Sequence, residues 1–152
     1  MKRRAILLLL VPHACGIPLE SEGGEWQESE PYLKSRDDLW SICLATLDAR
    51  GWKLEAQNRD SGRIVTAWKT HMNPTWREGH RDRLEVEILA VSGTPDRRHR
   101  VRAKARREIN DNSRLPQSER EAVWTYAGGN DDLRDQLLYL IKLKAKGPGL
   151  DD

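Results

Sequence analysis

The chain has 152 residues, of which 33% are charged and 38% hydrophobic, and this length favours a single domain with one modest core. Its formal charge is +2, but loss of the three cations at positions 2–4 with a predicted leader reduces the 26 basic residues to 23 against 24 acidic ones, a net charge of −1. Such a balance argues against the broadly basic surface that binding along a phosphate backbone requires.

The first sixteen residues have the pattern of a secretory signal peptide. Three cations, Lys2, Arg3 and Arg4, precede an apolar run over 5–11 that contains four consecutive leucines. The run is far shorter than the roughly 20 residues of a membrane-spanning helix. A buried first strand or helix is the alternative, but no helix cap or amphipathic period accompanies the run. We therefore predict that residues 1–16 are removed and that the protein works outside the cytoplasm, in the periplasm or at the outer membrane.

The end of this leader allows two processing routes. Ala14 and Gly16 place small residues where an ordinary signal peptidase needs them. Ala14-Cys15 also resembles the end of a bacterial lipobox, in which Cys15 becomes the lipidated first residue, although positions 12 and 13 depart from that pattern. Multiple acylation would hold the domain at a membrane surface. Either route leaves Cys43 without a disulfide partner, and its place on an apolar helix face predicts a buried, unreactive thiol.

Residues 17–34 are predicted to form a flexible tether. They are acidic, contain glycine and have few aliphatic side chains, which is typical of linkers. Trp26 and Tyr32 are candidates to pin part of this segment to the domain. The folded domain is predicted to run from 35 to 146, and residues 147–152 to form a disordered tail.

The domain itself predicts an α+β fold. Ser35 and Asp38 form a capping box at the start of a first helix, which ends before Gly51. Period-two alternation then predicts four antiparallel strands over 52–57, 63–70, 84–91 and 100–106. A loop over 110–118, with at most a short helical turn around 119–124, and a chain break at Gly128-Gly129 are expected next. Asn130 then caps a C-terminal helix that ends in lysines before Gly147. We expect both helices to pack on one face of a four-stranded antiparallel sheet.

Charges on the last two strands predict their register. A turn at 93–96 that places Glu87 opposite Lys104 forms one opposite-charge pair. The same register places Glu85 opposite Arg106. Cross-strand pairs of this kind stabilise a hairpin by about 0.2–1 kcal/mol each and help to set its register.

One stretch of this pattern resembles a known family. It consists of a helix that runs into a glycine, a strand, an Asp-Ser-Gly turn and a second strand: Leu39-Trp40, Leu47, Gly51-Trp52-Lys53-Leu54, Asp60-Ser61-Gly62 and Ile64-Val65. It resembles the helix-grip domains of BamC-like bacterial envelope lipoproteins. The resemblance spans about 37–143, but the motif itself covers only 39–70. It implies a fold, an envelope compartment and an accessory role in outer-membrane β-barrel assembly, and it implies no catalytic residues.

We predict no catalytic residues, no metal and no cofactor. The G-x-S-x-G, Walker, G-x-G-x-x-G and H-E-x-x-H signatures are all absent from the sequence. The nearest approach to a metal or acid–base site is a polar loop over 71–83 that bears His71, His80 and Asp82. Transition-metal sites need three or four convergent ligands, and two histidines in a loop are weak evidence for one. We therefore expect solvent-exposed loop residues here.

A basic stripe is the stronger candidate for partner binding. Four cations emerge on one face of the last predicted strand: Arg100, Arg102, Lys104 and Arg106. No aromatic residue of that strand interleaves with them for base stacking, and opposing glutamates would neutralise part of the charge. In the loop over 71–83, Trp76 and Arg77 are the residue types enriched at interaction hot spots. We predict these six side chains to be the partner-binding residues.

Three functions remain open at this point. The first is a non-catalytic exported envelope protein or lipoprotein that acts as an interaction or scaffold module. The second is a secreted small enzyme or ligand-binding protein with its site near the 71–83 loop. The third is a nucleic-acid-binding module that uses the basic strand 100–106. A deep pocket lined by His71, His80 and Asp82 would favour the second function, and a flat sheet would favour the first.

Overall fold

A computed structural model describes residues 24–72, 78–93, 98–112, 114–115 and 118–147. Its elements follow the chain as β1 (Gln27–Glu28), α1 (Arg36–Ala49), β2 (Leu54–Asn58), β3 (Arg63–Thr66), β4 (Lys69–His71), β5 (His80–Ala90), β6 (His99–Asn110), β7 (Trp124–Gly129) and α2 (Asp131–Lys146). The predicted leader with Cys15, the loop residues Trp76 and Arg77, and the predicted tail beyond Gly147 lie outside the described residues.

Both helices begin at the caps that the sequence indicates. The Asp38 amide donates to the Ser35 hydroxyl oxygen at 3.0 Å, and that hydroxyl donates to the Asp38 carboxylate at 2.7 Å. At the start of α2 the Asn130 side chain accepts a hydrogen bond of 3.3 Å from the Leu133 amide. These bonds satisfy amides that have no partner within the helix. After α1 the chain turns at Gly51, whose φ of 69° favours glycine.

The predicted four-stranded sheet is wrong, because the sheet that the described residues form has seven strands. Their order is β1-β6-β5-β3-β2, with β4 also paired to β5 and β7 also paired to β6, and every pairing is antiparallel. β1 lies in the expected tether, and β7 lies in a stretch expected to be a loop followed by a glycine break. The predicted strand over 63–70 forms β3 and β4, which a bulge separates.

The bulge at Ala67 and Trp68 changes which side chains face the helices. The Ala67 amide donates a hydrogen bond of 2.8 Å to the carbonyl of Lys53, the residue before β2. One extra residue in a strand inverts the alternation beyond it. Thr66, which is fully buried, and Lys69 therefore both lie on the helix side, and Trp68 between them lies on the opposite face.

The described part of the predicted tether lies against the sheet. β1 pairs with β6, and Tyr32 is buried and forms a bridge with the start of β6. Gly24 has a φ of 65°, and a Cβ there would lie 2.4 Å from the Ala105 carbonyl oxygen. Such a close approach excludes any larger residue without a shift of the backbone. The fold thus includes residues from Gly24 onward, whereas the predicted domain began at 35.

One hydrophobic core lies between the two helices and one face of the sheet. The sheet contributes alternate residues of its two long strands: Leu84, Val86, Ile88, Val101, Ala103 and Ala105. The helices contribute the residues that face them, including Leu39, Leu47 and Ile141, which are fully buried. Burial of such a side chain stabilises the fold by about 1.5–3 kcal/mol. No helix of the described residues is both long and apolar enough to cross a membrane.

The register of the β5–β6 hairpin differs from the predicted one by two residues. Glu87 lies opposite Arg102, and Glu85 lies opposite Lys104 rather than Arg106. A shift of two leaves every side chain on its predicted face. The hydrophobic pattern alone therefore does not distinguish these two registers.

Candidate functional site

The sheet face that points away from the helices carries the four cations of the predicted stripe. We call this surface the outer face; it consists of the outward side chains of β5 and β6 and the side chains that contact them. Each of the four cations has a carboxylate partner at 2.5 to 3.3 Å: Arg100 with Glu28, Arg102 with Glu87, Lys104 with Glu85 and Arg106 with Glu108. The predicted stripe is thus a set of ion pairs.

These pairs join into a wider network. Three further arginines, Arg63, Arg81 and Arg83, form ion pairs with carboxylates of the same surface. Burial raises the pKa of Glu85, but hydrogen bonds from Arg63 and Lys104 outweigh that effect and hold this pKa below its ordinary value. Glu85 therefore stays ionised at neutral pH. Among the described residues, seven cations share five carboxylates in the ion pairs of this surface.

Aromatic rings lie over the arginines of the outer face, although none comes from β6 beside the basic stripe. The ring centres lie 4.5 to 5.8 Å from the cations: Trp68 from Arg81, Arg83 and Arg106, Trp124 from Arg81, Tyr126 from Arg106, and Trp26 from Arg102 and Lys104. Cation–π contacts at exposed sites stabilise by about 0.5–1 kcal/mol each. The rings of Trp26, Trp124 and Tyr126 come from the segment before β1 and from β7, which the sequence did not assign to the sheet, whereas Trp68 lies in the predicted strand over 63–70.

Trp68 lies beside two arginines of like charge at the centre of this surface. Arg83 and Arg106 lie directly opposite each other in the β5–β6 pairing, and like charges in that position destabilise a sheet. The Trp68 ring lies 5.7 and 5.8 Å from their guanidinium groups. Glu55 contacts Arg83 at 2.9 Å, and Glu108 contacts Arg106 at 2.8 Å. The two like charges are thus compensated by one ring and two carboxylates.

A small cleft opens on the other side of the sheet, between β4, β5 and α2. Its volume is about 160 Å³, and its lining combines apolar side chains such as Leu133 and Leu137 with the polar side chains Lys69, His71 and Asp82. Sites for organic ligands usually occupy about 300–1,000 Å³. This cleft therefore suits an ion or a few atoms better than a metabolite.

His71, His80 and Asp82 meet at the edge of this cleft. His71 lies opposite His80 in the β4–β5 pairing, and Asp82 follows on the same face, so that their ligand atoms lie within 4.8 Å of one another. The two imidazole rings stack with their centres 5.0 Å apart. The expectation of a loop is wrong, because all three residues lie on strands, and the expected exposure to solvent holds for His71 but not for Asp82, which is only 3% exposed. β5 begins at His80, four residues before the predicted strand.

Asp82 is held by groups from two further elements. Arg107 on β6 donates to its Oδ1 at 2.9 Å and to its Oδ2 at 2.8 Å, and Asn130 donates to Oδ1 at 3.2 Å. Burial raises the pKa of Asp82, but these hydrogen bonds and the Arg107 charge hold it below its ordinary value. Burial and the same Arg107 charge lower the pKa of His80. At neutral pH this edge of the cleft therefore holds a carboxylate and a neutral imidazole.

Cys43 lies fully buried in the core, away from these polar groups. Burial raises the pKa of its thiol to about 12. A thiol with this pKa is protonated at neutral pH and is a poor nucleophile. The prediction of a buried, unreactive thiol is confirmed.

Comparison with known proteins assigns no family to this arrangement. No protein-family model matches the chain, and no curated protein is significantly similar to it. The resemblance to BamC-like domains therefore stays a prediction, and the residues of the outer face and of the cleft are the basis for a functional assignment.

Proposed function

We propose that this chain is an exported, non-catalytic interaction module of the cell envelope that binds a protein partner through its outer face. One observation carries the proposal: Arg81, Arg83, Arg102 and Arg106 each contact an aromatic ring and a carboxylate, on a face of the sheet that neither helix covers. The partner surface would combine acidic and apolar residues, because seven cations here share five carboxylates around three half-buried tryptophan rings and the exposed ring of Tyr126.

Arginine and tryptophan favour a protein partner at this surface. They are the residue types enriched among interface residues that contribute most to binding energy. A free arginine side chain loses about 2 kcal/mol of rotamer entropy when it is fixed. Arg81, which lies between Trp68 and Trp124 and contacts Glu108, has already lost much of this freedom. Such preorganisation lowers the entropic penalty of association.

The ion pairs argue against nucleic acid as the ligand. Binding of a phosphate backbone draws its free energy from cations that release counterions. On this surface the four cations of the predicted stripe already contact carboxylates of the same chain. A polyanion would have to displace those carboxylates, which stay close by and repel it.

Export is supported by the basic and apolar segments at the start of the sequence. It brings the module to a compartment where its partner would be another envelope protein, and lipidation of Cys15 would concentrate both at a membrane. Mass spectrometry of the protein isolated from cells tests this part. We expect either an acylated N-terminal Cys15 or a plain N-terminus near Ile17, whereas an intact Met1 would contradict export.

The binding proposal is tested by affinity capture from membrane extracts with the mature protein as bait. Arg102→Ala removes a cation that pairs with Glu87 and lies under Trp26. We expect the specific partner captured by the wild type to be lost or strongly reduced with this bait. Tyr139→Ala serves as the matched control, because Tyr139 is 59% exposed on α2. Equal loss with both baits, or capture that neither change affects, would contradict a role for the outer face.

A further inference from the structure

We propose that His71, His80 and Asp82 form a binding site for a divalent transition-metal ion, with Zn²⁺ as the best-fitting ion. Two imidazole nitrogens and one carboxylate oxygen form a ligand set that suits Zn²⁺. The site lies on the helix side of the sheet, so it is independent of partner binding at the outer face.

The distances between ligand atoms are close to those of a zinc site. The three ligand atoms lie within 4.8 Å of one another, and His80 Nε2 lies 3.8 Å from Asp82 Oδ2. Zinc ligands at about 2.0–2.2 Å from the ion in a tetrahedral arrangement are themselves about 3.4 Å apart. Small side-chain rotations of His71 and His80, with no movement of the strands, would close the remaining difference.

Strand pairing fixes the relative positions of the three Cα atoms. His71 and His80 are paired residues of an antiparallel ladder, and Asp82 follows His80 on the same face. Functional groups placed on paired strands keep their relative positions better than groups on loops. In a loop, the spacing of the two histidines in the sequence would not indicate that they meet. In this fold they face each other across the β4–β5 pairing.

The hydrogen bonds around Asp82 leave room for an ion. Oδ1 accepts from both Arg107 and Asn130, whereas Oδ2 accepts from Arg107 and faces His80. An ionised carboxylate has about four acceptor positions, so Oδ2 keeps one for a metal. Carboxylate ligands of metal sites are usually oriented by hydrogen bonds of this kind. The Arg107 charge opposes a cation, and we therefore expect micromolar rather than nanomolar affinity for Zn²⁺.

Three protein ligands leave a fourth position for water or for another molecule. Closed structural zinc sites use four protein ligands, and three-ligand sites keep an open position. His71 is exposed and the cleft borders the cluster, so a fourth ligand has access from solvent. The geometry thus points to an exchangeable ion and not to a structural one.

Isothermal titration calorimetry with Zn²⁺ on the purified, untagged protein tests the site. We expect one equivalent to bind, with His71→Ala and His80→Ala each weakening the affinity at least tenfold. His99→Ala is the matched control, since His99 lies at the other end of the β5–β6 hairpin, and it should keep wild-type affinity. Co²⁺ in place of Zn²⁺ should give the visible absorption bands of a tetrahedral complex, and Mg²⁺ should not bind.

The melting temperature supplies a second readout. Zn²⁺ should raise it for the wild type and for His99→Ala, and leave it unchanged for the His71 and His80 variants. His71 is exposed, so its variant is expected to fold, and its circular dichroism spectrum checks that. Absence of Zn²⁺ binding to the wild type would overturn the proposal. Wild-type affinity in both histidine variants, or an equal loss in His99→Ala, would also overturn it.

Discussion

Two ion-pair regions of the β5–β6 hairpin are made of the same residue types in different surroundings. On the outer face the ion pairs range from Arg100–Glu28, with side chains 33% and 41% exposed, to Arg106–Glu108, whose carboxylate is only 8% exposed, and aromatic rings lie over Arg102 and Arg106. On the helix side Asp82 is nearly fully buried and joins Arg107 to Asn130 at the start of α2. Exposed pairs contribute about 0–1 kcal/mol each, whereas breaking a buried pair is strongly destabilising. Because Asp82 links β5, β6 and α2, we expect the second region to contribute more to stability, whereas the more exposed pairs of the first region, such as Arg100–Glu28, are accessible to a partner.

The largest effect in this comparison is expected for Asp82→Asn. The change removes the charge that faces Arg107 and weakens the link between β5, β6 and α2. Loss of one partner of a fully buried pair costs about 3–5 kcal/mol. Because the Arg107 side chain is 36% exposed, we expect a smaller loss, of about 2 kcal/mol, in the free energy of unfolding measured with urea. A loss no larger than that of Glu85→Gln on the outer face would contradict the contrast.

The Asp82–Arg107 pair predicts that the free energy of unfolding depends on pH. The folded protein holds the pKa of Asp82 below the value of 3.8 that it has when exposed. Its contribution to stability is therefore fully present above that value and is lost as the pH falls through the lower pKa of the folded protein. Urea titrations of the wild type and Asp82→Asn should differ at neutral pH and converge in acid. A difference that persists unchanged at low pH would show that it does not arise from this charge.

Trp68→Ala should have an intermediate effect. The ring contacts three arginines and compensates the opposed Arg83 and Arg106, so its removal leaves two like charges face to face. We expect a loss of about 1–2 kcal/mol in the free energy of unfolding. Trp68→Phe keeps an aromatic ring and should lose less than half as much. Equal losses for the two variants would mean that stacking over the arginines is unimportant.

The smallest effect on stability is expected for the double variant Glu85→Gln with Glu87→Gln. The same variant should bind heparin, a polyanion, more tightly than the wild type does. The Glu85 and Glu87 side chains are 20% and 17% exposed, but each glutamine keeps an oxygen that can accept a hydrogen bond from the same cations, so we expect a change of about 1 kcal/mol. The double variant leaves Lys104 and Arg102 without their carboxylates. It should therefore elute from a heparin column at higher salt than the wild type.

A control for the heparin measurement keeps the change in net charge and moves it away from the outer face. Asp48 and Glu121 are exposed residues outside the ion pairs of this surface. Asp48→Asn with Glu121→Gln should shift the elution much less. If both double variants shift equally, then net charge rather than the outer-face network governs binding to heparin.

Local signals in the sequence predicted some elements well. The capping residues Ser35 and Asn130 placed both helices, and alternation placed the side chains of β5 and β6 on their correct faces. Caps and alternation depend on a few residues that are neighbours in the sequence, so the sequence alone reveals them. The hairpin register was missed because a shift by two residues preserves every face.

Features that depend on distant pairing could not be predicted. β1 has only two exposed, polar residues, and its pairing with β6 joins segments far apart in the chain. β7 ends in a glycine pair, and such a pair in the sequence indicates a break and not a strand. The bulge that places Trp68 on the outer face, and the pairing that brings His71 to His80, both arise from how β4 pairs with β5. As a result the basic stripe was predicted, whereas its rings and the histidine cluster were not.

Partner binding through the outer face is tested most directly by photocrosslinking in cells. Benzoylphenylalanine at Tyr126, which is 41% exposed beside Arg106, is compared with the same residue at Tyr139, which is 59% exposed on α2. We predict a discrete crosslinked species from position 126 and none of that size from position 139. The same adduct from position 139 alone, or no adduct from position 126, would contradict the proposal.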